Sequence, residues 1–166
     1  MKFEELYDRY FSKVYNYVRY HVGLAAEADD VTGRIFEAAL GKYGTYDAAR
    51  GPAQAWLFAI ARNAVIDWAR LRKRRSEVGL DDAGEREGAE PRLETALERK
   101  EEAGLLLDAV GRLDERSKDL IALKFSSGMT NRDIARLTGL GESNVGILIY
   151  RAVKKMQALV EAKRRV

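Results

Sequence analysis

The stretch NRDIARLTGLGESNVGILIYR, residues 131–151, has the pattern of two short helices around a glycine turn. Ala135 is a small residue at the place where two steeply crossing helices would touch. Four residues on, Gly139 tolerates the positive φ that the turn needs, and Val145 would then pack back on the first helix. Thr130 stands where a residue that caps the first helix is expected. The stretch therefore predicts a helix-turn-helix, the motif that places its second helix in a DNA groove.

The second helix of this motif offers few polar side chains to bases. Ser143 and Asn144 lie in its first turn, where base edges would be met, and an asparagine can pair with adenine through two hydrogen bonds. Gly146, Ile147 and Leu148 follow, where a base-reading helix usually carries polar residues. Two readings of Ser143 and Asn144 are open: they contact bases, or they serve only to start the helix.

Cations surround the motif and suit phosphates on either side of a groove. They are Arg132 and Arg136 on the first helix and Arg151, Lys154 and Lys155 on the second. Charge is also segregated along the chain: residues 1–75 hold 13 Lys/Arg against 9 Asp/Glu, and residues 124–166 hold 9 against 3. Residues 76–102 hold 4 Lys/Arg against 10 Asp/Glu. Two basic blocks separated by an acidic one indicate a polyanion bound at two places, although solvated helix faces would give the same pattern.

Composition narrows the classes of function. The 166 residues contain no Cys and one His, which excludes disulfides and thiolate metal sites and disfavours histidine chemistry. There is no long apolar run for a membrane span and no apolar signal region at the amino terminus, so we expect a cytoplasmic protein without membrane insertion. No nucleophile–base pair, metal-ligand cluster or phosphate-binding glycine loop is visible, so we expect no enzyme, metal or cofactor.

Nearly every segment has apolar residues in steps of three and four, which predicts an all-α fold. We expect two small helical domains, residues 1–75 and 104–166, joined by a flexible acidic linker, residues 76–103. The predicted helices cover approximately residues 3–22, 27–43, 53–75, 93–113 with a break near Gly104, 116–125, 130–139, and from the second helix of the motif to the carboxyl end.

The helix AQAWLFAIARNAVIDWARLRKRR, residues 53–75, has two distinct faces. An apolar set at helical spacing should face the core: Leu57, Ile60, Ala61, Ala64, Trp68 and Leu71. A second face carries an aromatic residue, an amide, an acid and two cations: Trp56, Asn63, Asp67, Arg70 and Arg74. Such a face suits single-stranded nucleic acid, where rings stack on bases and amides contact their edges, with RLRKRR at 70–75 on phosphates. Taken singly, Trp56 could instead be a core residue and Asp67 a salt-bridging one.

These motifs carry a resemblance to a known family. WLFAIARNAVIDWARLRKRR is very similar to the promoter-melting helix of extracytoplasmic-function (ECF) sigma factors, small RNA polymerase subunits of the sigma-70 family. FEELYDRYFSKVYNYVRYHVG and AEADDVTGRIFEAAL resemble the start of sigma region 2, and residues 113–156 follow region 4. The resemblance covers nearly the whole chain outside the linker.

The resemblance implies a function and its partners. Region 2 would dock on the clamp helices of the largest catalytic subunit of core RNA polymerase and capture the opened −10 element as single-stranded DNA. Region 4 would sit on the flap of the second large subunit and read the −35 element as duplex. Members are commonly held inactive by an anti-sigma factor, so we expect such a partner beside core polymerase and promoter DNA.

The resemblance also assigns residues. Asn63 matches the base-capturing asparagine, and residues 46–53 match the specificity loop before its helix. The expected −10 contacts are Tyr46, Arg50, Trp56, Arg62, Asn63, Arg70, Arg72, Lys73 and Arg74. The expected −35 contacts are Arg132, Ser143, Asn144, Tyr150, Arg151, Lys154 and Lys155. Asp30 and Phe36 match the polymerase-docking helix, in which Gly33 and Arg34 replace the usual glutamine and acid.

Two other classes of function are compatible with parts of the sequence. A stand-alone helix-turn-helix regulator would use the front module to bind a ligand or to dimerise. Residues 56–75 argue against it, because a ligand pocket does not need RLRKRR beside an aromatic and amide face. An enzyme is the third class, and no catalytic motif favours it.

Overall fold

The computed structural model describes residues 1–79 and 96–166, with only the backbone of 96–99. Within them the chain is helical and contains no strand. The helices are α1 (Phe3–His21), α2 (Ala25–Lys42), α3 (Ala53–Glu77), α4 (Ala96–Gly111), α5 (Glu115–Ser127), α6 (Asn131–Thr138) and α7 (Glu142–Arg164), with a short 3-10 turn at Tyr43–Thr45. Two compact units, residues 1–85 and 86–166, divide the chain. The predicted all-α, two-domain fold is therefore confirmed.

The first unit packs α1, α2 and α3 against one another. Helix α1 buries an apolar stripe that begins at Leu6 and continues through Tyr10, Val14 and Val18, and α2 adds Val31 and Ile35. Tyr17 and Phe58 are fully buried and meet edge to face, with ring centroids 5.6 Å apart. This aromatic contact joins α1 to α3 and fixes which side of α3 faces inward.

The prediction for the core face of α3 is partly wrong. Leu57 and Ala61 are buried as expected, but Phe58 and Val65 complete the buried stripe. Ile60, Ala64 and Trp68 are only partly buried, and Leu71 is 43% exposed. The predicted stripe is therefore turned by about one residue around the helix, and its last member lies on the surface.

The second unit contains α4 to α7. Helix α4 packs on α7, and Lys163 of α7 pairs with Asp108 of α4. A second ion pair joins Arg164 to Glu102 at 3.7 Å. One expectation needs correction, because α4 runs through Gly104 without a break. The predicted helix 93–113 is confirmed over residues 96–111, so the carboxyl end of the segment assigned to the flexible linker, residues 96–103, is helical. The stretch is rich in Ala, Leu, Glu, Arg and Lys, which are strong helix formers. The rest of the predicted linker, apart from residues 76–79, lies outside the described residues.

The helix-turn-helix of α6 and α7 has the predicted local structure. The Thr130 hydroxyl accepts a hydrogen bond from the backbone N–H of Asp133 at 3.2 Å and so caps α6. Gly139 ends α6 with a φ of 79°, and its N–H donates to the Ala135 carbonyl at 2.9 Å. Val145 is fully buried. Thr130, Gly139 and Val145 therefore serve the roles that the sequence predicted.

Asp114 caps α5, and its loss should weaken the second unit. Its carboxylate accepts a hydrogen bond from the backbone N–H of Ser117 at 2.8 Å, which is the largest cause of a lowered pKa for this carboxyl. Asp114→Ala should reduce the free energy of unfolding by about 1 kcal/mol, the usual effect of removing such a cap. Asp114→Asn keeps an acceptor and should lose less. Urea unfolding of the full chain, followed by circular dichroism, measures both.

The pH dependence of this contribution follows from the direction of the shift. Because the pKa of Asp114 is lower in the folded chain, the cap stabilises above the ordinary pKa of an aspartate. The contribution is lost as the pH falls below about 4 and through the lowered pKa. The difference between wild type and Asp114→Asn should therefore shrink between pH 7 and pH 3, and an unchanged difference would contradict the assignment.

Candidate nucleic-acid interfaces

The outward face of α3 presents an unpaired amide. Asn63 is exposed, and its side chain has no hydrogen-bond partner in residues 1–79 and 96–166. Asp67, Arg70 and Arg74 follow at intervals of four, three and four residues, are exposed, and lie on the same side of the helix. The structure thus places the predicted amide and cations together, with one acid among them.

Three aromatic rings lie at the start of this face. Trp56 is partly buried, 5.4 Å from the Tyr46 ring and 6.2 Å from the Tyr43 ring between centroids. Tyr43 and Tyr46 are nearly parallel, 6.3 Å apart. Trp56 is therefore a ring against the preceding loop rather than a core residue. Tyr43 was not predicted, although its position three residues before Tyr46 in an aromatic run was a signal.

The loop before α3 is held by local bonds. The Asp47 carboxylate accepts from the backbone N–H of Ala49 at 2.9 Å, and the Tyr46 hydroxyl donates to the Gly51 carbonyl at 3.3 Å. Arg50 is exposed, with its guanidinium 3.9 Å from Asp47. An exposed pair of this kind is weak, so Arg50 can exchange Asp47 for a phosphate.

The cations predicted on α3 do not share one direction. Nine residues make about two and a half turns, so Arg72 lies on the opposite side of α3 from Asn63. It pairs there with Glu27 of α2 at 3.8 Å and covers the Trp68 ring at 5.2 Å. Lys73 is exposed, whereas Arg62 is partly buried and makes a contact within the protein. Among the cations predicted to contact DNA from this helix, Arg70, Lys73 and Arg74 are exposed and open to a phosphate.

In the second unit, α7 exposes Ser143 and Asn144 in its first turn. The helix is capped by Gly141 without a side-chain bond, so neither residue is the cap. Neither side chain forms a hydrogen bond or ion pair within the part of the chain that the structure describes. The polar groups of both side chains are therefore open to a ligand.

The predicted DNA-contacting cations of the second unit differ in how strongly they interact with neighbouring side chains. Arg151 and Lys154 are exposed on α7, and the Lys154 ammonium lies 5.6 Å from the Tyr150 ring centroid. Arg132 is 3.6 Å from Glu142. Lys155 adds a smaller electrostatic effect to the hydrogen bond from Ser117 in lowering the pKa of Asp114. Of these four cations, Arg151 and Lys154 have no carboxylate partner in the described residues and are the most available to phosphates.

Gly146 does not lie on the outward face of α7. A Cβ at this position would meet the side-chain nitrogen of Asn131 on α6 at 3.5 Å, an ordinary contact distance. Asn131 is itself held, because its oxygen accepts from the Lys124 ammonium at 3.0 Å. The glycine is therefore part of the packing between α6 and α7 rather than a missing base contact.

Gly146→Ala should stabilise the chain by about 0.5–1 kcal/mol, because alanine loses less backbone entropy in a helix. The variant should keep its preference among −35 sequences. Thermal unfolding and binding to a panel of duplexes test the two parts. Altered preference would place Gly146 against DNA.

Comparisons with known proteins agree with this two-part geometry. The family model described as "Sigma-70 region 2" matches residues 6–76, and that described as "Sigma-70, region 4" matches residues 103–156. RNA polymerase sigma factor CnrH of Cupriavidus metallidurans is 32% identical over 82% of this chain and 74% of its own. The chain is an ECF sigma factor of the sigma-70 family. Asn63 and its cations thus lie in region 2, and α6 and α7 in region 4.

Another relative of this ECF sigma factor has the ECF designation in its name. BldN of Streptomyces coelicolor, an ECF RNA polymerase sigma factor, is 34% identical over 95% of this chain. The match spans only 60% of BldN. Among solved structures, CnrH in complex with the cytosolic domain of CnrY has a TM-score of 0.70 at 26% identity, covering 96% of this chain and 88% of that one. The sigma factor RpoE in complex with the anti-sigma factor NepR, from Bartonella quintana, has a TM-score of 0.76 at 21% identity, covering 96% of each chain, and shares the fold.

The predicted docking residues of the sigma factor lie on α2 in two environments. Asp30, Gly33 and Arg34 are exposed. Phe36 is only 5% exposed, with its ring 4.8 Å from that of Tyr7 and 5.7 Å from that of Phe11. Phe36 is therefore not itself exposed for docking, and its ring packs beneath the partly exposed rings of Tyr7 and Phe11. Sequence reasoning missed Tyr7 and Phe11, whose spacing of four residues outside the buried stripe of α1 was the available signal.

Metal and membrane features can be stated for the described ranges only. Residues 1–79 and 96–166 contain no cluster of acidic or histidine side chains arranged to hold a metal ion. No helix in those ranges is both long and apolar enough to cross a bilayer.

Proposed function

We propose that this ECF sigma factor binds core RNA polymerase and directs it to promoters through two DNA contacts of different kind. The observation that carries the proposal is the division of polar surface between the units. Region 2 exposes an amide beside aromatic rings and cations, and region 4 exposes Ser143, Asn144, Arg151 and Lys154 on the second helix of a helix-turn-helix. The first arrangement suits a single strand and the second suits a duplex.

In region 2, Asn63 would hold a base of the opened −10 element. Its amide can form two hydrogen bonds to a base edge, and no neighbouring side chain among the described residues occupies it. Trp56 and Tyr46 are positioned to stack near that base, and Arg70, Lys73 and Arg74 extend along the helix toward the phosphates that follow. Arg72 is not part of this path, because its pair with Glu27 directs it to the other side of α3.

In region 4, α7 would enter the major groove of the −35 element. Ser143 and Asn144 would meet base edges, and Arg151 and Lys154 would contact phosphates and set the position of the helix. Both DNA sites lie in one chain attached to one polymerase, so the second contact forms at a high effective concentration. Two sparse sites can then give one specific promoter complex.

For the polymerase itself, we propose that α2 meets the clamp helices of the largest subunit and region 4 meets the flap of the second large subunit. Asp30 and Arg34 are exposed for this contact, and Phe36 supports it through Tyr7 and Phe11. Arg34 reverses the charge that the usual acid would give this surface, and Gly33 removes the side chain of the usual glutamine.

Two further parts of the proposal follow from the relatives. We propose an anti-sigma factor as an inhibitory partner, since the solved structures of CnrH and RpoE are complexes with a second protein, which for RpoE is the anti-sigma factor NepR. We also propose that the chain works in the bacterial cytoplasm, where polymerase and promoters are, and has no catalytic activity of its own. The described residues offer groups that bind DNA, and the polymerase supplies the chemistry.

Run-off transcription with purified core polymerase tests the proposal. Transcript starts are first mapped after overexpression of the chain, which gives both promoter elements. Core polymerase with the purified chain should then start at those sites, and either component alone should not. A stand-alone regulator would instead shift duplex DNA without polymerase and start no transcripts.

A further inference from the structure

The second turn of α7 carries an aliphatic residue, Ile147, on its exposed side. Val145 and Ile149 are buried and hold α7 to its unit. Ile147 lies two residues, or about 200° around the helix, from each of them, so it projects away from the packed side. It is 50% exposed. About half of this isoleucine therefore lies outside the packing of the second unit.

The neighbours of Ile147 on the helix surface are the groups that the proposed function assigns to DNA. Ser143 lies one turn before it and Arg151 one turn after it, and both are exposed. Asn144 and Tyr150 lie three residues away on either side, and Tyr150 is 64% exposed. Ile147 is therefore enclosed by a ring of polar, cationic and phenolic side chains, at the point of α7 that would reach deepest into a groove.

We propose that Ile147 determines specificity at the −35 element by contacting the C5-methyl group of a thymine. The inference rests on the proposed function, since it requires α7 to lie in the major groove. Among the four base pairs, only those with thymine present an apolar group in that groove, and apolar side chains are the groups that recognise it. An exposed isoleucine amid polar contacts fits a methyl group better than it fits any hydrogen-bonding base edge.

The position of Asn144 makes the proposal more specific. Three residues of helix rise by about 4.5 Å, while successive bases of a strand are about 3.4 Å apart. Asn144 and Ile147 thus reach neighbouring base pairs. Since asparagine pairs with adenine, the two residues together select adjacent A·T pairs, with an adenine edge facing one and a thymine methyl facing the other.

The contact is tested by a double-mutant cycle, in which substitutions of Ile147 are combined with replacement of thymine by deoxyuridine and binding affinity is measured. Holoenzyme assembled from core polymerase and the full chain is bound to the mapped promoter, in which the thymines of the −35 element are replaced one at a time by deoxyuridine. Deoxyuridine removes only the methyl group and keeps every hydrogen bond. Wild type should lose about three- to fivefold in affinity at one thymine, the effect of one buried methyl.

The protein side of the cycle is Ile147→Ala. This variant should bind the thymine promoter more weakly by at least the same factor and should no longer distinguish thymine from deoxyuridine there. Ile147→Val, which keeps a branched apolar side chain, should retain part of the discrimination. Arg151→Ala is the matched control: it should weaken binding to both DNAs equally, because it removes a phosphate contact on the next turn.

The outcomes are distinct. Equal binding of thymine and deoxyuridine DNA by wild type at every position would overturn the inference, as would undiminished discrimination by Ile147→Ala. In both cases the proposed function stands if the holoenzyme still binds its promoter. If wild-type holoenzyme does not bind the promoter at all, the proposed function itself fails. Circular dichroism of each variant checks that the helices are intact.

Discussion

Asn63→Ala is expected to remove nearly all open-complex formation while leaving the binding of core polymerase within about twofold of wild type. The amide lies on the outward face of α3 without a partner in the described residues, so its removal leaves the fold unchanged. A bidentate contact to a base contributes about 1–3 kcal/mol, which corresponds to a loss of roughly 5- to 150-fold. We propose that docking uses α2, so the binding of core polymerase should be unaffected.

Permanganate reactivity of unpaired thymines at a mapped promoter measures opening, and a binding titration with core polymerase measures docking. Arg72→Ala is the matched control on the same helix. Because Arg72 lies on the other side of α3 and pairs with Glu27, it should open the promoter nearly as well as wild type. Normal opening by Asn63→Ala, or an equal loss with Arg72→Ala, would show that the outward face of α3 is not the strand-binding face.

Replacing Arg151 and Lys154 together by alanine should weaken promoter binding uniformly across −35 sequences. Both cations are exposed on α7, and each neutralised phosphate releases counterions. The plot of log affinity against log salt should become shallower by about one unit for each phosphate that is no longer neutralised, or about two units for the double variant. At low salt the affinity falls strongly, and at high salt it falls only slightly.

A titration of holoenzyme with promoter duplex at several salt concentrations gives the slope. Lys163→Ala serves as control, since that cation is on the same helix but pairs with Asp108 of α4. Its salt slope should equal that of wild type. A double variant that changes which −35 sequences are preferred, with an unaltered slope, would mean that Arg151 and Lys154 contact bases instead.

The helices could be predicted from the sequence because their apolar periodicity is strong and because capping and helix-breaking residues mark their ends. Thr130 and Gly139 mark the limits of α6, and Pro52 precedes α3. Such local signals act whatever the tertiary contacts are. The same signals placed Gly104 wrongly as a break, because the surrounding residues favour a helix strongly enough to include a glycine.

The orientation of each helix was harder to predict, because it depends on partners. The first half of α3 is apolar nearly all around, so its periodicity does not decide which stripe meets α1. The contact of Tyr17 with Phe58 decides it, and it also turns Arg72 toward Glu27. In α7, the burial of Val145 and Ile149 directs Gly146 to α6 and Ile147 outward. From the sequence, both residues looked like lost base contacts, whereas in the structure Gly146 packs between helices and Ile147 is exposed.

The most direct test of the central claim is whether the purified chain binds core RNA polymerase. Gel filtration of the mixture should show a one-to-one complex, and the isolated complex should start transcripts at mapped promoters. The account would be contradicted if the chain, freed of every co-purifying inhibitor, still eluted apart from core polymerase at all mixing ratios. Neither of the proposed DNA-binding faces, on α3 and α7, could then act at a promoter.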